Sequence, residues 1–361
     1  MEENKRYDMV NILRVVCALL VMSLHLMAFA CFGDDVLYLT SNFICRIAVP
    51  FFFITAGYFF YSRYNREGYV KKYLCRLIGI YAVVSFIQSL VFFPFYVWDM
   101  IKEQGVAFGI KVFLVNGVDG ALWYFPALII STAVVYIFLR KGWTKQLICL
   151  STALFLIGLM GDSYYGLVEN TPLINVVNAY DIIFDTTRNG ITFGVPYLTI
   201  GVLINKYSLN EKIKNLKLWF VLSWALFGAE AAVIMNSGIA LDYNIYFSVL
   251  FVASFMFMMA LNSNVKINAD TSRYMREMSV WIYCFHTLLS LSIYNFTPIQ
   301  IENTFLYYLF VAGVVITLSF LIAKVRLKGV KLNRVALRNT SVTAAVLLIV
   351  PLVLFFGHIV A

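Results

Sequence analysis

Runs of about twenty apolar residues, joined by short connections whose charge changes sign from one to the next, leave this chain few folds to choose from. Their approximate limits are 9–31, 42–62, 74–97, 121–140, 146–161, 189–206, 217–236, 244–262, 278–296, 303–323 and 340–360. Each run is near the ~20 residues a helix needs to cross hydrocarbon. Lipid offers no partner to a backbone N–H or C=O, and a helix satisfies both within one segment. The expected fold is an all-α polytopic membrane bundle of ten spans, with an eleventh at 340–360. A chain 61% hydrophobic and 13% charged lies outside the range of ordinary soluble domains.

The net charge of +9 suggests nucleic acid until its distribution is read. Most Lys and Arg sit in alternate connections: Lys5 and Arg6, Arg63 to Arg76, Arg140 to Lys145, Lys206 to Lys217, Lys266 to Arg276, and Lys324 to Arg338. The other connections carry mainly acids, among them Asp34, Asp99, Asp119, Asp162, Asp185, Asp242 and Glu302. Cytoplasmic loops collect Lys and Arg, so the N-terminus is expected in the cytoplasm of a plasma-membrane protein. No nucleic-acid partner is expected; the lipid bilayer is. The start resembles a signal peptide ending at Ala28-Phe29-Ala30, but its removal would invert every later loop against this rule. It reads as a retained span. The six cysteines lie in or beside apolar runs without metal-ligand spacing and read as packing residues, with no metal implied.

Two connections are long and fall on the outer side. Residues 98–120 hold an amphipathic stretch suited to the interface, and residues 162–188 are rich in Asn, Asp and Tyr. Each is readable as a solvated connector or as part of a site.

The first span contains Arg14 and His25, and an ionisable group inside a membrane costs roughly 2.5–3.5 kcal/mol on insertion scales. At about 100° per residue the two lie roughly 20° apart around the helix after three turns, about 16 Å apart along it. Snorkelling of the arginine and simple burial of the histidine are the bland alternatives for each alone. Together they form one stripe, with a fixed cation near one face and a titratable base about two-thirds of the way across. His25 is the candidate general base. Arg14 suits a phosphorylated cytosolic donor. Arg46, entering the second span from outside, is either an anion contact or an interface anchor. Beside it, Ala56-Gly57 within a wall of aromatics would let helices approach closely. His286 and Glu230 are weaker candidates, each explicable by a neighbouring partner, and Asp185 lies one turn from Arg188 and could pair with it. No Walker loop, dinucleotide fingerprint, GxSxG elbow or HExxH motif occurs.

Arg14 and His25 with ten residues between them, VPFFF followed by Gly57-Tyr58, LWYFPAL at 122–128 and a late WIYCFH together resemble the acyltransferase-3 family of membrane acyltransferases. The resemblance covers most of residues 8–325, leaving 326–361 as a basic connection and the extra span. LIGLMGDSYYGL at 156–167 and TRNGITFG at 187–194 are further similar to the membrane domain of VanT-type serine racemases. The family resemblance implies a ten-span core, an acyl-CoA donor (most simply acetyl-CoA) on the cytoplasmic side and a cell-envelope hydroxyl acceptor on the other. It makes His25 the catalytic histidine and Arg14 its donor-side partner. Arg46, Trp123, Tyr124, Arg188 and His286 take acceptor or supporting roles. The VanT-type resemblance implies instead L-serine binding or uptake for a racemase, in vancomycin resistance. The chain departs from these patterns at Ala121, where His often precedes LWYF, and shows no pyridoxal-phosphate racemase sequence, so that such an enzyme would be a separate partner.

Overall fold

The structure is a computed structural model that describes residues 6–92, 98–117, 120–297, 299 and 301–328. The eleventh span expected at 340–360, and nearly all of the 326–361 segment, lie outside them. Among the described residues the fold is helical without strands. The longer helices are α1 Asp8–His25, α2 Ala48–Tyr61, α3 Tyr69–Phe92, α4 Tyr124–Arg140, α5 Thr144–Met160, α6 Ile174–Phe184, α7 Val195–Tyr207, α8 Leu216–Ser237, α9 Val249–Leu261, α10 Ala269–Phe296 and α11 Thr304–Lys328. Among the described residues, five segments are long and apolar enough to cross a membrane: Asp8–His25, Asp34–Tyr61, Tyr69–Val91, Leu216–Ser237 and Thr304–Leu327. The helices α4, α5, α6 and α9 are shorter apolar ones, so ten crossings stay an expectation of the sequence.

Two differences from the sequence reading have local causes. The amphipathic stretch at 98–120 is broken into Trp98–Gln104 and Val106–Lys111 by Gly105, whose φ of +85° no helix tolerates. The connection 162–188 contains α6, which turns Val177 inward and leaves Ile182 and Ile183 exposed.

The chain divides into two compact units. The first comprises residues 1–41, 82–100 and 265–361. Here α1 and α10 pack together and run the same way, since Asp8 and Asn11 bond Ser272 at one end and His25 meets His286 towards the other. Asp8 is buried and accepts from Ser272 Oγ (2.7 Å), the Ile267 N–H (3.1 Å) and Arg6 (3.1 Å). The antiparallel α11 returns beside them: Thr304 meets the turn after α1, and Arg326 pairs with Glu277 at 3.6 Å.

The second unit comprises residues 42–81 and 101–264. Its centre is α2 against α7, running in one direction: Phe53 packs on Phe193 at one level, and Asn205 donates to the Tyr58 carbonyl (3.0 Å) at another. The contact is backbone to backbone. A Cβ on Gly57 would strike the Leu198 carbonyl, and one on Gly201 the Ile54 carbonyl. The small residue expected to allow close approach at position 57 does so, and its counterpart is Gly201. Lipid tails are as apolar as the helix faces, so such tight packing replaces the hydrophobic drive available in water. Helices α8 and α9 form a hairpin whose core joins Ile47, Phe227, Ile234, Tyr246 and Val249.

Candidate functional site

Each unit gathers its own set of ionisable groups. In the first, α1 ends at His25 rather than running on to residue 31. The Ala28 N–H bonds the Ser23 carbonyl (3.0 Å) and the Met27 N–H that of Leu24 (3.3 Å), with Met27 at φ +47°. This is a Schellman cap, built on a methionine where glycine is usual. His25 therefore stands in the last turn of α1. Thr304 holds the turn in place: its hydroxyl donates to the Ala28 carbonyl (3.2 Å) and accepts from the Cys31 N–H (3.1 Å).

The ring of His286 lies across from His25, centroids 5.2 Å apart. His286 is fully buried, with Nδ1 2.8 Å from the Tyr283 carbonyl. A carbonyl only accepts, so Nδ1 carries the proton and Nε2 is the basic nitrogen of the neutral ring. Beside it Gln88 donates to Thr287 Oγ1 at 3.4 Å, and both Gln88 and Ser85 are fully buried. Polar groups like these are costly in an apolar setting unless they find hydrogen-bond partners. Arg14 is partly buried on the same helix as His25, three turns nearer the end where Arg6, Arg273 and Arg326 gather. The arrangement provides a base, a second imidazole and a distant fixed cation.

In the second unit the focus is Asn244, a residue the sequence reading passed over. Its Oδ1 accepts from Arg46 Nη1 (2.5 Å) and from Arg188 Nη1 (3.4 Å). Its Nδ2 donates to Asp162 (3.1 Å) and to Asp242. One neutral amide thus stands between two cations and two anions, its dipole aligned with both. Asp162, also buried, accepts the Asn244 and Ile245 N–H groups at 2.7 and 2.8 Å. Burial, with the charge of Asp242 behind it, pushes the Asp162 carboxyl up to about 6, while those N–H groups pull it back.

Each arginine is held from a second direction. Asn42, one turn before Arg46, accepts from its Nη2 at 2.6 Å. Arg188 lies over the Trp123 ring at 5.2 Å. Its turn is tied by Asn189, whose Oδ1 takes the Ile191 N–H (2.8 Å) and the Tyr180 hydroxyl (2.8 Å). Asp185 does not pair with Arg188 as expected; it takes Lys111 at 2.5 Å. Tyr124 packs on Phe53 at 4.8 Å, beside the Trp123 stack. Glu230 is fully engaged. It accepts from Tyr164 (2.6 Å) and from the Phe247 and Ser248 N–H groups (2.7 and 2.8 Å), closing the start of α9.

The sequence candidates thus fall into two groups: Arg14, His25 and His286 in one unit, Arg46, Trp123, Tyr124 and Arg188 in the other. The sequence signal for Asn244 was D-Y-N at 242–244, just before an apolar run.

A family model described as an acyltransferase domain matches residues 7–324. The chain belongs to the acyltransferase-3 family. It is a helical membrane protein, as that family and its long apolar helices require. The chain is also similar to an amino-acid racemase of Enterococcus faecalis, 31% identical over 342 residues, covering 89% of this chain and 46% of the relative. A serine/alanine racemase of Enterococcus gallinarum is 30% identical over 284 residues, covering 76% of this chain and 39% of the relative. A second amino-acid racemase of Enterococcus faecalis is 27% identical over 334 residues. The chain thus spans less than half the length of these relatives. No solved structure matches it.

Proposed function

We propose that this acyltransferase-3 protein moves an acyl group, most simply acetyl, from cytosolic acyl-CoA to a hydroxyl of a cell-envelope acceptor. The protein sits in the plasma membrane with its N-terminus in the cytoplasm. The observation that carries the reading is the His25–His286 pair at the far end of the helix that bears Arg14. Arg14 takes a phosphate of the donor near the basic end. At the other end His25 accepts the proton of the acceptor hydroxyl as its oxygen attacks the thioester carbonyl. The C–S bond breaks, and the departing thiolate recovers that proton. His286, with Nδ1 committed to Tyr283, presents its other nitrogen as a neutral partner that spreads the positive charge. The reading needs no metal and no pyridoxal phosphate in this chain.

Calorimetry of acetyl-CoA binding to the purified protein, beside Arg14→Ala, tests the donor site. Binding that weakens in the variant supports it. No binding by a demonstrably folded protein removes it.

A second reading is favoured by the relatives' names. Proteins called serine/alanine and amino-acid racemases match most of this chain, and the shared segment would bind or import L-serine for a racemase, as in vancomycin resistance. Uptake of L-serine by proteoliposomes without acyl-CoA would support it, and absence of uptake under a proton gradient would count against it. Glu230, saturated by hydrogen-bond donors, is then a structural group rather than a proton carrier.

A further inference from the structure

We propose that Arg46 and Arg188, within the second unit, form a binding site for the carboxylate of a small ligand. Two guanidinium groups converge on one neutral oxygen, Asn244 Oδ1. Like charges gathered in this way call for an anion, and among the described residues none lies at hydrogen-bonding distance of either guanidinium, nor does either form an ion pair. Asp162 and Asp242 lie across the Asn244 amide, bonded to its nitrogen, and Asp162 is already filled by backbone N–H groups.

The donors left over mark the site. The Nε atoms of both Arg46 and Arg188 are buried with no acceptor among the described residues. A guanidinium has five N–H donors. Arg188 uses a single one, towards Asn244, and Arg46 uses two, towards Asn244 and Asn42. Buried donors of charged groups are rarely left open unless a ligand or ion completes them. Both side chains are also preset: Arg188 lies over the Trp123 ring and is based on the Asn189 turn, and Arg46 is gripped at both terminal nitrogens. A carboxylate has two coplanar acceptors that match a guanidinium edge. The exposed Asp242 beside the pair disfavours ligands with several negative charges and suits one that carries its own cation, as a free amino acid does. The geometry of the arginines carries the proposal; if the ligand is an amino acid, it gives the second reading above a location.

Equilibrium binding of radiolabelled L-serine and of D-glucuronate to the purified full chain tests it. Wild type is expected to bind at least one of the two saturably, with competition by other carboxylates. L-serinamide and methyl glucuronate, which lack the carboxylate, should compete at least tenfold more weakly. Arg46→Gln and Arg188→Gln should each weaken binding tenfold or more, and Arg188→Lys should not restore it. Binding of serine alone assigns the carboxylate to a free amino acid, and binding of glucuronate alone to a sugar acid. The site is overturned if neither binds, if the neutral analogues compete equally, or if both glutamine variants bind unchanged. Serine binding unchanged in those variants removes the site and leaves the serine reading intact. The neutral-analogue comparison uses wild type only, so an unfolded variant does not rescue the proposal.

Discussion

The imidazoles of His25 and His286 face each other with centroids 5.2 Å apart and planes inclined by 44°. One closes the last turn of α1; the other is in the interior of α10. The two helices run in the same direction from a shared anchor at Asp8 and Ser272, so the rings meet because both helices are registered from the opposite end.

Replacement of His25 by Ala should lower acyl transfer by at least roughly 100-fold, the usual worth of a positioned base. His286→Ala should cost less, since it acts on His25 rather than on the acceptor. Transfer of a labelled acetyl group by each variant in proteoliposomes, with thermal melting as a check on folding, measures both. Normal transfer by folded His25→Ala would end the mechanism.

Asp8→Ala should destabilise the first unit by about 2–3 kcal/mol, because Ser272 and the Ile267 N–H lose a buried charged acceptor. Hydrogen exchange should rise at residues 267–272 and in the first turn of α1. The variant should also lose transfer, since the register of the two histidines depends on this anchor.

Gly57→Ala and Gly201→Ala should each cost about 2–3 kcal/mol, as the added methyl meets a backbone carbonyl that no rotamer change can move. Gly313→Ala in α11 is the control. Nothing lies within 4 Å of its added Cβ, so the change should be neutral or stabilise the helix by up to about 1 kcal/mol. Melting temperatures in detergent decide between them.

The Asp162 carboxyl titrates near 6 in the folded chain against an ordinary 3.8. The folded state then holds more protons than the unfolded one between about pH 4 and pH 6. Stability from this group is complete below that window and is lost as pH rises through it. Burial sets most of the effect, the charge of Asp242 adds to it, and the hydrogen bonds from Ile245 and Asn244 reduce it. Unfolding midpoints at pH 4.5 and pH 7 should differ in wild type in the direction of greater stability at acid pH, and the difference should shrink in Asp162→Asn.

Much of this was legible in the residues. Apolar run length specified helices, and the helix period put Arg14 and His25 on one stripe. The small residue at 57, among bulky aromatics, announced a close helix contact. Asn244 was not legible, because an asparagine in a polar connection looks like a turn residue, and its role depends on side chains from three distant segments, at Arg46, Asp162 and Arg188. The pairing of Asp185 with Lys111 instead of Arg188 was hidden for a similar reason. Nearness along the chain suggested a partner, but the Asn189 turn carries Arg188 away to Trp123.

The sequence by itself determined the class of fold, the family and the residue types available for chemistry, because each rests on local composition and spacing. Only the tertiary structure decided which of those residues act together. Helical periodicity orders side chains around one axis, but it carries no information about which other axis lies alongside. That choice came from the Asp8 anchor for the two histidines and from the Asn244 amide for the two arginines, both contacts between residues about two hundred or more positions apart for Asp8–Ser272 and Arg46–Asn244.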